Sequence, residues 1–313
     1  MPKVSVIIPV YGVEKYIERC ARSLFEQTLD DIEYLFIDDC SPDRSIEILK
    51  NVLEEYPNRK DQVIVHRMEK NSGQAAVRKW GMLNATGDYV IHCDSDDWVD
   101  SKLYQIMYSD ALENNSDLVV CDYQIHNGEC CIKCFEGCRT KDVNRFQENL
   151  LSEKNAWALW NKLIKRNLIE YIEYFPEKNM GEDLVLCMQM ICFSQCLSYV
   201  ENVYYYYFIN EESIVHIKDT ETIISKYYQN HDNLNLLIKF YRNQNLFDKL
   251  KKHIDWLKYT VKRNLYIKDS KIAKFRKTVY PFLEYKLLLN PEISNTQKKE
   301  LVKMIYDQLI NKI

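Results

Sequence analysis

Short apolar strands alternate with amphipathic helices through roughly the first 120 residues, and this alternation constrains the fold more than any other feature. "VSVIIP" (4–9), "YLFI" (34–37), "VIVH" (63–66), "DYVIHC" (88–93) and "DLVVC" (117–121) read as strands. Between the first two, Val13, Tyr16, Ile17, Cys20 and Leu24 recur at helical spacing. The run "CSPDRSIEILKNVLEEY" predicts a second helix, with Ser41 as its cap and Pro42 at its first position. Further helices are expected over 73–86 and from about 101 to 114. Strands that are apolar throughout need cover on both faces, so the pattern calls for an α/β fold with helices above and below a sheet.

The polar clusters fall just after strands: "PVYG" after the first, "DDCSPD" after the second, "DSDD" after the fourth. Sheets of this kind bind ligands in the crevice beyond the carboxyl ends of their strands. The segment "HCDSDDW" (92–98) places three carboxylates in four positions, an arrangement that gains no stability unless a cation is shared among them. The seven glycines form neither G-x-G-x-x-G nor G-x-x-x-x-G-K, and H-E-x-x-H is absent. Carboxylates at a sheet edge suit a hard divalent cation, Mn²⁺ or Mg²⁺, whose open positions accept phosphate oxygens.

Residues 122–150 read as loop or hairpin, and 155–169 as helix or strand–helix. "GEDLVLCMQMICFSQC" (181–196) starts with glycine and two acids, then turns helical. "YYYYF" (204–208) reads as a strand packed on both faces, with a sugar-stacking platform as the rival. From 218 onward helix follows helix. The net charge of −4 divides unevenly, about +10 from Lys218 onward and about −14 before it. That basic tail is a solvated surface, a contact for an anionic membrane, or a homodimer interface. Eleven cysteines without a leader-like start, and no apolar run of bilayer length, lead to the expectation of a reducing cytoplasm. Cys130, Cys131, Cys134 and Cys138 lack a second C-x-x-C and read as loop thiols rather than a zinc site.

Taken together and in order, four segments resemble the family 2 glycosyltransferases: "VSVIIPVYGVEKYIERCARSLFEQTLDDIEYLFIDDCSPDRS", "NSGQAAVRKWGMLNATGDYVIHCDSDDWV", "WNKLIKR" and "GEDLVLCMQM". They cover roughly the first 200 residues. The resemblance implies the GT-A nucleotide-diphospho-sugar transferase fold: α/β, Rossmann-like, a mixed and mostly parallel sheet flanked by helices, here with a helical C-terminal region. It implies a catalytic domain over 1–217, with a nucleotide-binding half (1–99) and an acceptor half (100–217), followed by the helical region 218–313. The implied reaction is an inverting, metal-dependent transfer from a nucleotide-diphosphate sugar, UDP-linked, to a saccharide or lipid-linked acceptor in surface polysaccharide synthesis. No nucleic acid is implied as partner. The expected location is the cytoplasm, at the inner face of the membrane if the tail docks there.

Position by position, the resemblance implies that Pro9, Val10 and Tyr11 line the base and ribose, with Glu14 nearby. Asp39 accepts from the base N3–H and Asp38 supports that turn. Asn71, Gly73 and Arg78 lie under the ribose and diphosphate. Asp94 and Ser95 face the nucleotide sugar, Asp94 reaching the ribose or metal, while Asp96 binds the metal and Asp97 shapes the loop or sugar site. A late histidine, His216, fits as a third metal ligand, against the plainer reading of a lone structural histidine. Asp183 is the general base, with Glu182 beside it. From the residues alone, Asp183 opens a helix whose dipole favours the ionised form, and only an ionised carboxylate can take a proton. Trp160 and Lys162 read as packing, with substrate contact as the rival. Cys40 stands where the family often has glycine. Two rival functions stay open: a nucleotidyltransferase that makes the sugar nucleotide, though "PVYGVEKY" lacks its Gly-rich, lysine-bearing loop, and a non-catalytic glycan- or nucleotide-binding protein of the same fold.

Overall fold

The computed structural model describes residues 1–210, 219–266, 269–290 and 293–310. Strands β1 (Val4–Val10), β2 (Ile32–Asp38), β3 (Val63–Arg67) and β4 (Tyr89–His92) pair in parallel, in the order β3-β2-β1-β4. Alternation along β1 shows why both faces need cover. Val4, Val6, Ile8 and Val10 enter one core, with α1 (Ile17–Phe25), α2 (Ser45–Glu54) and α4 (Leu103–Glu113). Ile7 enters the other, together with α3 (Gln74–Asn84). Burying each such side chain is worth about 1.5–3 kcal/mol over exposure, so neither face can be left to water.

The sheet continues through β8 (Lys162–Lys165), β6 (Leu118–His126), β9 (Leu197–Phe208) and β5 (Trp98–Val99), with β7 (Cys131–Phe135) on β6. It has nine strands among the described residues. β8 is antiparallel to both β4 and β6, so two reversals bring β6 back to the direction of β4, and β9 runs parallel to β6. The carboxyl ends of β1 to β4, β6 and β9 therefore share one edge, the edge that carries the acids.

One local expectation is corrected and three gain detail. The second helix starts at Ser45, not at the Ser41–Pro42 pair. Asp43 Oδ1 accepts from the Ser45 N–H and hydroxyl, while the Ser41 N–H is held by Asp38. Residues 155–169, expected as helix or strand–helix, hold β8 followed by a 3₁₀ turn. The segment 122–150 holds the β6–β7 hairpin and, beyond what was expected, helix α5 (Val143–Leu151), capped by Asp142. In "YYYYF" only Tyr205 is fully buried, the others being partly covered.

α6 (Glu182–Ile191) and α5 share a core with α7 (Thr220–Asn243) and α8 (Phe247–Arg263) through Phe146, Val185, Met188, Leu237 and Ile254. Asn233 of α7 donates through Nδ2 to the carbonyls of Lys178 and Met180 at 2.9 Å, fixing the loop that leads into α6. A smaller core of Trp256, Tyr259, Leu283, Leu287 and Leu301 joins α8 to α10 (Leu283–Leu288) and α11 (Asn295–Ile310), with α9 (Ser270–Thr278) before them. Among the described residues, no helix is long and apolar enough to cross a membrane.

Candidate active site

The loops after β1 and β2 are stitched together by short polar side chains. The Gly12 N–H donates to Ser41 Oγ at 2.8 Å and the Val13 N–H to Ser45 Oγ at 3.0 Å. The Glu14 N–H donates to Asp43, while Glu14 Oε2 accepts from the Arg44 N–H. Pro9 and Val10 end β1 and Tyr11 stands exposed beyond it. Asp38 accepts from the Ser41 N–H and pairs with Arg67 at 2.6 Å. Cys40 is left-handed at φ 58°, which accounts for a position where glycine is otherwise common.

Asp39 closes the next loop: its two oxygens accept from the N–H groups of Ser72 and Gly73 at 2.7 and 2.8 Å, beside exposed Asn71. Gly73 is the N-cap of α3 at φ 83°, and a Cβ there would meet the Asn179 side chain at 2.3–2.8 Å. Asn179 Oδ1 in turn accepts from the Ala75 N–H. Gly73→Ala is therefore expected to cost about 1–2 kcal/mol for the left-handed backbone and about 1 more for the displaced cap, read as a lower urea midpoint.

Arg78 is the centre of the site. It lies on α3 and is 1% exposed, so its charge has to be met by protein groups. Nη2 pairs with Asp94 at 3.0 Å, Nε with Asp183 at 3.1 Å and Glu182 at 3.4 Å, and Nη1 with His92 Nδ1 at 3.0 Å. Burial works against the Arg78 charge, and Asp183, Asp94 and Glu182 more than offset it. Burial and the Arg78 charge hold His92 well below its usual range, so it faces Arg78 as a neutral acceptor. Arg78, expected under the ribose and diphosphate, has its guanidinium enclosed by Asp94, Glu182, Asp183 and His92.

Glu182 and Asp183 open α6 after Gly181, whose φ is 81°. Burial, then the charge of Asp183, push Glu182 well above the carboxylate range. Burial also raises Asp183, against the expected effect of the helix end, while Arg78 pulls it back. Asp183 has the shorter Arg78 contact, and its side chain is 20% exposed against 7% for Glu182. Of the two, Asp183 is the more exposed and the closer to Arg78, whose charge favours its ionised form. Its Oδ2 also accepts from the Leu159 N–H at 3.4 Å. Lys162, fully buried, holds that segment by donating to the carbonyls of Ala156 and Ala158. Trp160 stacks on Tyr205 at 4.4 Å, so both Trp160 and Lys162 point inward and neither is free to touch a substrate.

In the loop after β4, the Tyr205 hydroxyl accepts from the Asp94 N–H and donates to Asp97, which also accepts from the Phe208 N–H at 2.7 Å. Asp97 and Ser95 are buried, and Asp97 clamps the loop to β9. Asp96 accepts from Asn210, and Arg19 holds its carbonyl while stacking on Trp98. Burial and then the Asp94 charge raise Asp96. Asp94, already paired with Arg78, and Asp96 two residues on present hard oxygen donors of the kind that suits Mn²⁺ or Mg²⁺. Among the described residues no three His, Cys, Asp or Glu side chains converge as a ready metal cage, so further ligands would be diphosphate and water. His216 lies outside the described residues. Cys131 and Cys134 are exposed with their sulfurs 3.6 Å apart, while Cys138 is buried.

Several residues that shape the site escaped the sequence reading. Asn179, His92, Tyr205 and Arg19 carry no motif, and each acts through a partner distant in sequence. The only available signals were Asn179 two residues before "GED" and His92 at the end of an apolar strand.

A family model described as glycosyl transferase family 2 matches residues 5–130, the stretch that contains Asp38, Asp39, Arg78 and Asp94 to Asp97. Residues 5–130 belong to glycosyl transferase family 2. Glycosyltransferase GlyA of Streptococcus pneumoniae is 30% identical over 223 residues, 68% of this chain and 31% of that one. The cholesterol galactosyltransferase of Borreliella burgdorferi is 28% identical over 270 residues, 79% of this chain and 72% of that one. The chain spans between 31% and 63% of the length of three curated relatives it matches. The S. aureus TarS 1–349 structure, in complex with UDP-GlcNAc, superposes with a TM-score of 0.62 at 17% identity, covering 97% of this chain and 92% of that one. That likeness shows the GT-A fold.

Proposed function

We propose that this family 2 chain transfers a sugar, with inversion, from a UDP-linked sugar to a hydroxyl of a saccharide or lipid-linked acceptor in surface polysaccharide synthesis. The observation that carries the reading is the convergence of Asp94, Glu182 and Asp183 on buried Arg78, at the edge where Asp39 and Asp96 also lie. The UDP-GlcNAc bound to TarS supports the donor class, and the cholesterol galactosyltransferase supports a hydroxyl acceptor on a lipid.

Asp39 binds the base edge beyond the carboxyl end of β2, and Tyr11 covers the ribose. Asp94 and Asp96 would hold a divalent cation, which would offset the charge of the departing diphosphate. Asp183 takes the proton of the acceptor hydroxyl. The acceptor oxygen then forms its bond to the anomeric carbon as the bond to diphosphate breaks on the opposite side, and one displacement inverts the centre. Arg78 favours the ionised form of Asp183 and aims it, while burial holds Glu182 beside it well above the carboxylate range.

The test is a panel of nucleotide sugars incubated with Mn²⁺, read as nucleoside diphosphate released. Release from a UDP-sugar that disappears in Asp96→Asn supports transfer. Pyrophosphate formed from UTP and a sugar phosphate, or binding without any turnover, contradicts it.

A further inference from the structure

The C-terminal helices expose an apolar ridge among cations. Leu283 and Leu287 of α10 are buried with Leu301 of α11. On the opposite side of α10, Phe282, Tyr285 and Leu289 recur at helical spacing, and they are 77%, 46% and 82% exposed. α11 adds exposed Val302 and Tyr306. Aromatic and leucine side chains turned to water in one stripe are a binding surface more often than an accident.

The charges around the ridge are sorted by sign. Glu284 is buried against Lys262, Asp255 is buried between Lys258 and Lys286, and Glu300 reaches Arg263. Lys274, Lys277, Lys299 and Lys303 are exposed. Among the described residues, Glu284, Asp255 and Glu300 are thus engaged by partners on α8 and α10 while these four lysines face water, in a tail of about +10. Apolar side chains in the acyl boundary, with lysines at the headgroup level, are the two elements of an interfacial anchor.

We propose that the Phe282–Tyr285–Leu289 ridge docks this protein onto a bilayer surface bearing anionic lipid. The proposal stands on the ridge alone and does not depend on the sugar-transfer reading. It is tested with the full chain by co-sedimentation with phosphatidylcholine vesicles containing or lacking phosphatidylglycerol. Binding is expected with the anionic vesicles and weak binding with the neutral ones, and it should fall as NaCl rises from about 0.1 to about 0.5 M. Phe282→Ser with Leu289→Ser replaces only exposed side chains, so it should keep the wild-type melting temperature while losing vesicle binding. Lys274→Glu with Lys277→Glu should weaken binding about fivefold or more for each lysine near the surface. Failure of the wild-type chain to bind anionic vesicles overturns the proposal. So does binding unchanged by Phe282→Ser with Leu289→Ser. A dimer in solution that this variant dissociates, without vesicle binding by the wild type, assigns the ridge to a second copy instead.

Discussion

Arg78→Gln is expected to lower the stability of the folded chain by about 3–5 kcal/mol, the cost of removing one partner from a buried ionic cluster. Asp94, Glu182 and Asp183 all point at the guanidinium, and two of them belong to a helix more than a hundred residues further along the chain. Without it, three carboxyl groups face one another with little water, and they can relax only by taking up protons or by opening the cleft. The loss is a large share of the roughly 5–15 kcal/mol that holds an ordinary domain together. Urea unfolding checks it directly. Adding Glu182→Gln to Arg78→Gln should recover part of the loss, because it removes one of the stranded acids. A midpoint unchanged in Arg78→Gln would mean that these acids are not held by the arginine.

Asp183→Asn is expected to keep the fold and to lower the transfer rate by about 10²–10⁴, the range for loss of a positioned base. The amide has nearly the same shape and still accepts from the Leu159 N–H, but it cannot accept the acceptor's proton. The same residue sets the pH dependence. Burial raises Asp183 above the ordinary carboxylate range, and transfer needs its ionised form. Activity should therefore be present above the raised pKa and fall as pH drops through it, at a higher pH than an ordinary aspartate would give. Rates measured across the acid range, with the acceptor at saturation, show this limb. Burial pushes Glu182 well above the carboxylate range and its side chain is less exposed than that of Asp183, so Glu182→Gln should leave most of the turnover in place.

The five strands, the edge that carries the acids and the opening of α6 at Gly181–Glu182–Asp183 were legible because each is local. Apolar runs and acidic turns leave their mark within a few residues. The insertion of β8 between β4 and β6 was not legible. "KLIK" is short and begins with a lysine, which usually lies at the surface, yet Lys162 is fully buried because three acceptors from 156–161 surround its ammonium. Arg78 was expected in the site, but its burial was hidden for the same reason. Nothing in "AAVRKW" distinguishes the buried Arg78 from the exposed Lys79 beside it, since the groups that neutralise Arg78 come from β4 and α6. The start of α2 was misplaced because Ser41 and Asp43 both have capping side chains. The left-handed turn at Cys40 carries the chain past the first of them before the helix can begin.

The division of labour among the acids is the central claim: those after β4 hold the donor, and Asp183 serves the acceptor. Calorimetric titration of UDP in the presence of Mn²⁺ tests it most directly, on the wild-type chain, Asp96→Asn and Asp183→Asn. Asp183→Asn should bind UDP as the wild type does while releasing none from a UDP-sugar, and Asp96→Asn should lose the Mn²⁺-dependent part of the affinity. Mn²⁺-dependent binding of UDP that survives intact in Asp96→Asn, or undiminished turnover in Asp183→Asn, would contradict it.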